Sequence, residues 1–385
     1  MKLNHDLHLA YCTNIHPAES WPETLSALQN FTLAVRDRVC PAKPYAIGLR
    51  LGDLASRQLS QPDALREFHR WLDRSNCYVF TINGFPYGRF HGRRVKEQVY
   101  RPDWTSDDRV AYTNRLFDLL GRLVPAGIEG SVSTVPGSFK EFIATEDQLA
   151  LIRANIFRCV EHVARVSGQT GRRLHLGLEP EPLCLLETTE ETLQFFDRLR
   201  AAHSNDSRLE EFLGVNYDTC HLAVEFEAPA ASLAKLRRHG IKISKLHLSS
   251  ALKLRAAPEN VARLAAFAED TWLHQVVCRA ADGKLTRHRD LQPALAAPAS
   301  AADEWRVHFH IPLHSPPAAW FGNTTDHLLG VLDVLQADPQ LCSHLEMETY
   351  TWEVLPPELR NQSVVGQLCL EYEWCLNALK GRGLA

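Results

Sequence analysis

The 385-residue chain is 45% hydrophobic, ample for a large core, and its formal net charge is −4. A basic stripe of the kind duplex-binding proteins carry is missing, with only short clusters such as Arg93-Arg94 and Arg237-Arg238, so small-molecule chemistry is favoured over nucleic acid. No run approaches the ~18 apolar residues of a membrane span, Met1–Ala10 lacks the apolar stretch of a signal peptide, and the ten cysteines include no C-x-x-C pair. These features place the expected location in the cytoplasm, where thiols stay reduced.

In chain order, β-rich runs alternate with helical ones, which predicts a parallel sheet with crossover helices. The candidate strands are Leu7–Thr13, Ala46–Leu51, Tyr78–Asn83, Ile128–Thr134, Leu174–Glu179, Gly214–Asp218, Ser244–Leu248 and His344–Thr349. Eight is the number that closes an α/β barrel, a (β/α)8 TIM barrel. Ser20 with Glu23, and Pro22 in the first turn, predicts a capped helix with Leu25, Leu28, Phe31 and Val35 on one face. Ser106 starts a second helix, Glu146–Val166 reads as a third with Gly168 and Gly171 beyond it, and Thr189–Ala202, Asn323–Ala337 and Ser363–Leu379 follow.

The long stretch between the seventh and eighth strands breaks this rhythm. It holds a helical segment near Glu259–Phe267, a hairpin formed by Trp272–Arg279 and Leu285–Asp290 about Asp282-Gly283, an Ala/Pro/Ser-rich piece and the run Arg306–Leu313. The expectation is one barrel domain over 1–385 with residues 251–321 inserted on the catalytic face. The alternative makes Arg306–Leu313 a barrel strand.

Four strand ends carry acid or imidazole: Glu179 after Leu174-His175-Leu176-Gly177-Leu178, Asp218 in Asn216-Tyr217-Asp218-Thr219, His247 in Lys245-Leu246-His247, and Glu348 in Glu346-Met347-Glu348. Catalytic groups of such barrels sit at the C-terminal strand ends. An O/N donor set without thiolate suits one divalent Mn, Mg, Co or Zn ion. Taken singly, each has a plainer use: Glu179 as a solvated loop carboxylate, Asp218 as a helix N-cap, His247 as a hydrogen-bonded core residue. Their conjunction favours the metal. Glu346 shares strand parity with Glu348 but lies about 6.6 Å back along the strand, which makes it a supporting acceptor. Glu181 and Glu187 read as exposed loop carboxylates. The aromatic loop residues Phe85, Tyr87, His91, Trp104 and Trp352 are candidates for a pocket wall.

These motifs resemble the xylose isomerase-like superfamily of TIM barrels, which includes sugar phosphate isomerases/epimerases and endonuclease IV-like enzymes. The resemblance puts that superfamily's four-ligand set on Glu179, Asp218, His247 and Glu348, and His221 matches its imidazole three residues after the metal-binding Asp. A closer likeness is to the bacterial metabolite-traffic protein EboE family, carried by Tyr11-Cys12-Thr13-Asn14-Ile15-His16-Pro17, Asn83-Gly84-Phe85-Pro86-Tyr87-Gly88 with His91-Gly92, and Glu348-Thr349-Tyr350-Thr351-Trp352. That family is associated with handling a lipid-like or aromatic metabolite, with membrane-associated pathway partners compatible with the resemblance. His308, His310 and His314 share a strand face and resemble the extra ligands of the endonuclease branch, but the fourth strand ends without histidine, which leaves a three-metal set incomplete.

The functional expectation is proton transfer on a small hydroxy-carbonyl metabolite by a metal-dependent isomerase or epimerase. Glu179 and Glu348 act as base and acid, and His221, Lys245, His310, Tyr87 and Trp352 contact substrate. The alternatives are a metabolite-binding or traffic component with little turnover, and a phosphodiester hydrolase.

Overall fold

The computed structural model describes residues 1–356, 360 and 362–385. Short runs buried on both faces form eight parallel strands: β1 (His8–Tyr11), β2 (Tyr45–Arg50), β3 (Cys77–Asn83), β4 (Gly130–Thr134), β5 (Leu174–Leu178), β6 (Leu213–Asp218), β7 (Lys242–Leu248) and, last in the chain, β13 (His344–Met347). Their order is β1-β13-β7-β6-β5-β4-β3-β2, and a parallel bridge between Cys12 and Gly48 brings the two edges together as a TIM barrel. Burial on both faces is what a barrel surrounded by crossover helices requires.

Gly48 has a specific reason to be glycine. A Cβ there would fall on Glu346 Oε1 and on the Tyr11 carbonyl. The missing side chain is the space that the Glu346 carboxylate occupies inside the barrel.

The helices start where their caps say. Ser20 and Glu23 form a capping box at Trp21–Ala27, Thr145 and Gln148 form one at Glu146–Thr170, and Ser106 caps Asp107–Leu123. The first helix continues through a π-turn at Leu28–Thr32 to Val39, and the Glu146 helix runs past Gly168 to stop at left-handed Gly171.

Between β7 and β13 the chain builds a second, antiparallel sheet: β8 (Ala251–Arg255), β9 (Val276–Arg279), β10 (Leu285–His288), β11 (Glu304–His310) and β12 (Gly322–Asn323), ordered β10-β9-β11-β8-β12. The run from Arg306 is therefore no barrel strand. It pairs antiparallel with β8 and β9 because the hairpin turned at Gly283, with its positive φ, supplies a partner edge. Among the described residues no helix is long and apolar enough to cross a membrane. All ten cysteines are free, nine of them buried.

Candidate metal centre

Glu179, Asp218, His247 and Glu348 lie at or just beyond the C-terminal ends of β5, β6, β7 and β13, four neighbouring strands. Each offers a donor atom, and these atoms lie within 4.8 Å of one another. All four residues are buried. His247 Nδ1 is the hub, 3.0 Å from Glu179 Oε1, 3.2 Å from Glu348 Oε2 and 3.4 Å from Asp218 Oδ2.

Two of the carboxylates divide their oxygens between structure and cluster. Asp218 Oδ1 caps the short helix Thr219–Val224 by accepting from Cys220 N (2.7 Å) and His221 N (3.2 Å), and it takes the Ser249 hydroxyl at 2.5 Å. The N-cap use and the cluster use therefore coexist, because Oδ2 is left over. Glu348 Oε1 accepts from the amides of Asn14 (2.8 Å) and Asn83 (3.1 Å), which turns Oε2 toward His247. Glu179 gives Oε1 to the hub and has no partner for Oε2, and Asp218 Oδ2 likewise has no hydrogen bond. Buried carboxylate oxygens without donors are costly. A divalent cation among three carboxylate oxygens and one imidazole nitrogen would satisfy them, and the residues present fit one.

The tautomer of His247 is fixed from below. Nε2 lies 2.8 Å from Glu346 Oε2, a pure acceptor, so Nε2 carries a proton. Burial opposes charge on the ring, but the surrounding carboxylates outweigh it and raise the imidazole well above its usual range; Nδ1, whose proton they hold, is the nitrogen that would be given over to a cation. The amide of Asn216 lies 3.2 Å from Nδ1. Lys245 Nζ donates to the same Glu346 oxygen at 2.5 Å and to Ser133 Oγ at 3.0 Å. Burial pushes the Glu346 carboxyl up, but Lys245 and His247 outweigh it and hold the group down at about 2. Burial similarly opposes the charge on Asp218, yet His221, His247 and His310 bring it well below the usual carboxylate range.

Above the cluster is a cavity of about 50 Å³ lined by Glu179, Glu181, Glu348, His221 and His308, with Phe90, Tyr100, Trp272 and Tyr350 as aromatic wall. That volume holds about four waters. His221, His308 and His310 form a second imidazole group. Their Nδ1 atoms face pure acceptors: Pro180 O (3.0 Å), Gln275 Oε1 (2.7 Å) and Glu348 O (2.9 Å). All three therefore carry the proton on Nδ1 and present Nε2 as an acceptor, and His308 Nε2 and His310 Nε2 have no partner. Burial, with the neighbouring histidines, pushes His308 well below its usual range, and burial brings His221 down to about 4. Cys220, Glu181 and Asp218 complete candidate three-donor sets around these rings.

Glu181 and Glu187 are not exposed loop groups. Both are buried, Glu181 under Tyr100, which donates to it at 2.6 Å, and Glu187 against Lys140 and Arg287. Burial raises Glu181 well above the usual carboxylate range, the Tyr100 hydrogen bond opposing and the Glu179 charge adding to it.

His221 lines the cavity. His310 sits beside it with its ring 5.6 Å from that of His221. Lys245 lies beneath the cluster, its ammonium occupied by Glu346 and Ser133. Tyr87 is outside the cavity, edge-on to Tyr112 at 5.0 Å in the adjoining pocket. Trp352 lines a separate groove with His16 and Phe31. Trp104 is fully buried and donates to Val135 O, and His91 contacts Asn14 O at 2.7 Å. Sequence reasoning missed Asn14, Asn83, Asn216 and Ser249. Their signal is faint, a polar residue at or just past a strand end.

No family model and no curated protein matches the chain. Solved structures do. A xylose isomerase-like TIM barrel protein from Mycobacterium smegmatis in complex with magnesium is 14% identical over 99% of each chain, with a TM-score of 0.54. A D-psicose 3-epimerase with D-tagatose from Clostridium cellulolyticum H10 is 11% identical over 98% of this chain and 100% of that one, TM-score 0.51. A probable 3-DHS dehydratase from Bacillus anthracis is 13% identical over 96% of this chain and 98% of that one, TM-score 0.50. At this identity the likeness is one of fold: the chain is a TIM barrel of the architecture that these proteins share.

Proposed function

We propose that the chain is a divalent-cation-dependent isomerase or epimerase acting on a small hydroxy-carbonyl metabolite, in a metabolite-traffic pathway of the EboE type. The observation that carries the reading is the convergence of four donors within 4.8 Å from four neighbouring strand ends, with two carboxylate oxygens left without partners. The named activities of the structural neighbours, a sugar epimerase and a probable dehydratase, are compatible with it.

Bound there, a divalent cation would stabilise the negative charge that develops on substrate oxygens when a neighbouring C–H is broken. The residues of the chain do the rest. Glu179 and Glu348 both border the cavity and stand on different strands, so one takes the carbon-bound proton and the other returns it. Glu181, whose carboxyl burial raises well above the usual range, borders the same cavity. The acceptor-only Nε2 atoms of His221 and His308 receive substrate hydroxyls. Phe90, Trp272 and Tyr350 keep bulk water out. The inserted segment 251–321 acts as a lid, since it supplies Trp272, Leu273 and His308.

The test has two parts. Metal content after mild purification is expected near one ion per chain, and to fall in Asp218→Ala and His247→Ala. Unchanged content in both variants would overturn the site. Incubating the metal-loaded protein with ketoses in D2O is expected to place deuterium next to the carbonyl, and Glu179→Gln and Glu348→Gln are expected to stop it. Metal-replete protein that exchanges no proton on any ketose leaves a binding role in its place.

One observation favours a second reading. Three further donor sets, His308 and His310 with Cys220, His221 and His308 with Glu181, and His221 and His310 with Asp218, could take another cation, which the hydrolase alternative requires. Two ions per chain with hydrolysis of a phosphodiester would select it.

A further inference from the structure

The loop after β3 leaves the cavity rim and carries an unusual set of charges. Arg89, Arg93, Arg94 and Arg101 line one pocket of about 460 Å³, which no carboxylate side chain lines. The chain has many ion pairs elsewhere, and Arg50, at the end of β2, reaches Glu19 at 3.4 Å. Among the described residues none of these four guanidinium groups has a carboxylate partner. Arg89 Nε is 3.3 Å from the His91 carbonyl, and Arg101 lies over the Phe142 ring at 3.8 Å. Four like charges around one concavity repel one another, and the arrangement is stable only with an anion or with ample solvent between them.

The pocket is not remote from the chemistry. Pro86, Phe90 and Val99 line both it and the cavity above Glu179 and Glu348. Its backbone is held in place. Arg50 donates to Gly88 O at 2.8 Å, Phe90 N donates to Glu19 Oε1 at 2.8 Å, and Val95 N and Lys96 N donate to Thr271 O at 2.7 and 2.8 Å. The cavity itself offers no free cation. Lys96, the one lysine or arginine lining it among the described residues, spends its ammonium on Glu269 O, Trp272 O and Asp290 Oδ2. At about 50 Å³ the cavity accommodates only the reacting end of a ligand.

We propose that the arginine pocket is the anion subsite of the substrate, holding a phosphate or diphosphate arm while the uncharged hydroxy-carbonyl end enters the cavity past Phe90 and Val99. Guanidinium groups suit this role because their planar donors pair two at a time with phosphate oxygens. The apolar strip between the two sites sets the rest of the substrate: a carbon spacer links its two ends. The link to catalysis rests on the function proposed above, but the anion site does not.

Inorganic pyrophosphate is the probe, titrated calorimetrically into the full-length protein after metal has been stripped, so that no chelated ion confuses the heat. One saturable site is expected. Arg93→Gln/Arg94→Gln is expected to weaken it at least ~10-fold, with the loss steepening as salt is lowered. Asp218→Asn is expected to leave it unchanged while abolishing metal uptake. The substrate arm is tested on metal-loaded protein with 1,8-dihydroxy-2-octanone and its 8-phosphate, which join a hydroxy-carbonyl end to the phosphate through a carbon spacer. The phosphorylated ketose is expected to bind at least ~10-fold tighter, and the double variant to erase the difference. Absence of saturable pyrophosphate binding, or binding that the double variant leaves intact, overturns the anion site, and absence of preference for the phosphorylated ketose overturns the substrate arm. Failure of the cation site shows separately, as pyrophosphate binding in a protein that takes up no metal.

Discussion

Glu346 accepts the Nε2–H of His247 at 2.8 Å, and both side chains are fully buried on adjacent strands β13 and β7. The contact fixes which imidazole nitrogen faces the cluster. Glu346→Gln keeps the shape and loses the charge, and it is expected to weaken Mn2+ or Zn2+ affinity ~10–100-fold. Glu346→Ala also strands the Lys245 ammonium and is expected to cost ~3–5 kcal/mol of stability. Competitive metal titration and urea unfolding read the two effects apart. Wild-type affinity in the Gln variant would remove Glu346 from the site.

Lys96 clamps the inserted segment to the loop after β3 through three hydrogen bonds of 2.7–2.8 Å. Lys96→Met leaves two carbonyls and the Asp290 carboxylate without that donor. Stability is expected to fall by ~2–4 kcal/mol. Amide exchange is expected to rise selectively over 269–275. Uniform exchange behaviour in the variant would show that the clamp is not local.

Much of this was legible in the sequence, for physical reasons. Most barrel strands are short runs rich in apolar residues, and the four cluster residues announce themselves as acid or imidazole groups where a strand should be finishing. Among the helices that passed unremarked, Asp53–Leu59, Pro62–Arg74 and Pro229–Arg238 have no side-chain N-cap to announce them. Asn14 and Asn83 carry no charge, and their partner Glu348 is 334 and 265 residues away, so no local pattern could pair them. Glu181 read as an exposed loop carboxylate because it lies past the end of a strand. Its burial comes from Tyr100 and Gln275, which only the folded loops bring over it.

Glu371, in the helix Val364–Lys380, is buried and accepts from Thr349 Oγ1 (2.7 Å) and Leu313 N (3.1 Å). Burial raises its carboxyl from 4.5 to about 7. The folded chain therefore holds this proton where the unfolded chain has released it. The stabilisation is complete below about pH 4.5 and is lost as pH rises through about 7, up to ~3 kcal/mol in all. Glu371→Gln is expected to remove this slope from urea midpoints measured across the interval. A slope unchanged in the variant would assign it to another group.

Cation binding is expected to stabilise the fold. At a free Mn2+ concentration ~100-fold above Kd, the gain is ~2.7 kcal/mol. Differential scanning fluorimetry is expected to show a higher melting temperature with Mn2+ than with EDTA in the wild type, and no difference in Asp218→Asn. A shift that survives in Asp218→Asn would place the ion elsewhere.

The strand that carries Glu348 is synthesised last and slots between β1, the first made, and β7. A nascent chain lacking it has Glu179, Asp218 and His247 but an open wall, and Asn14 and Asn83 have nothing to grip. The keystone strand thus brings the fourth donor and closes the ring in one event. Uptake of the ion during refolding would serve as a clock for the moment when β13 meets β1.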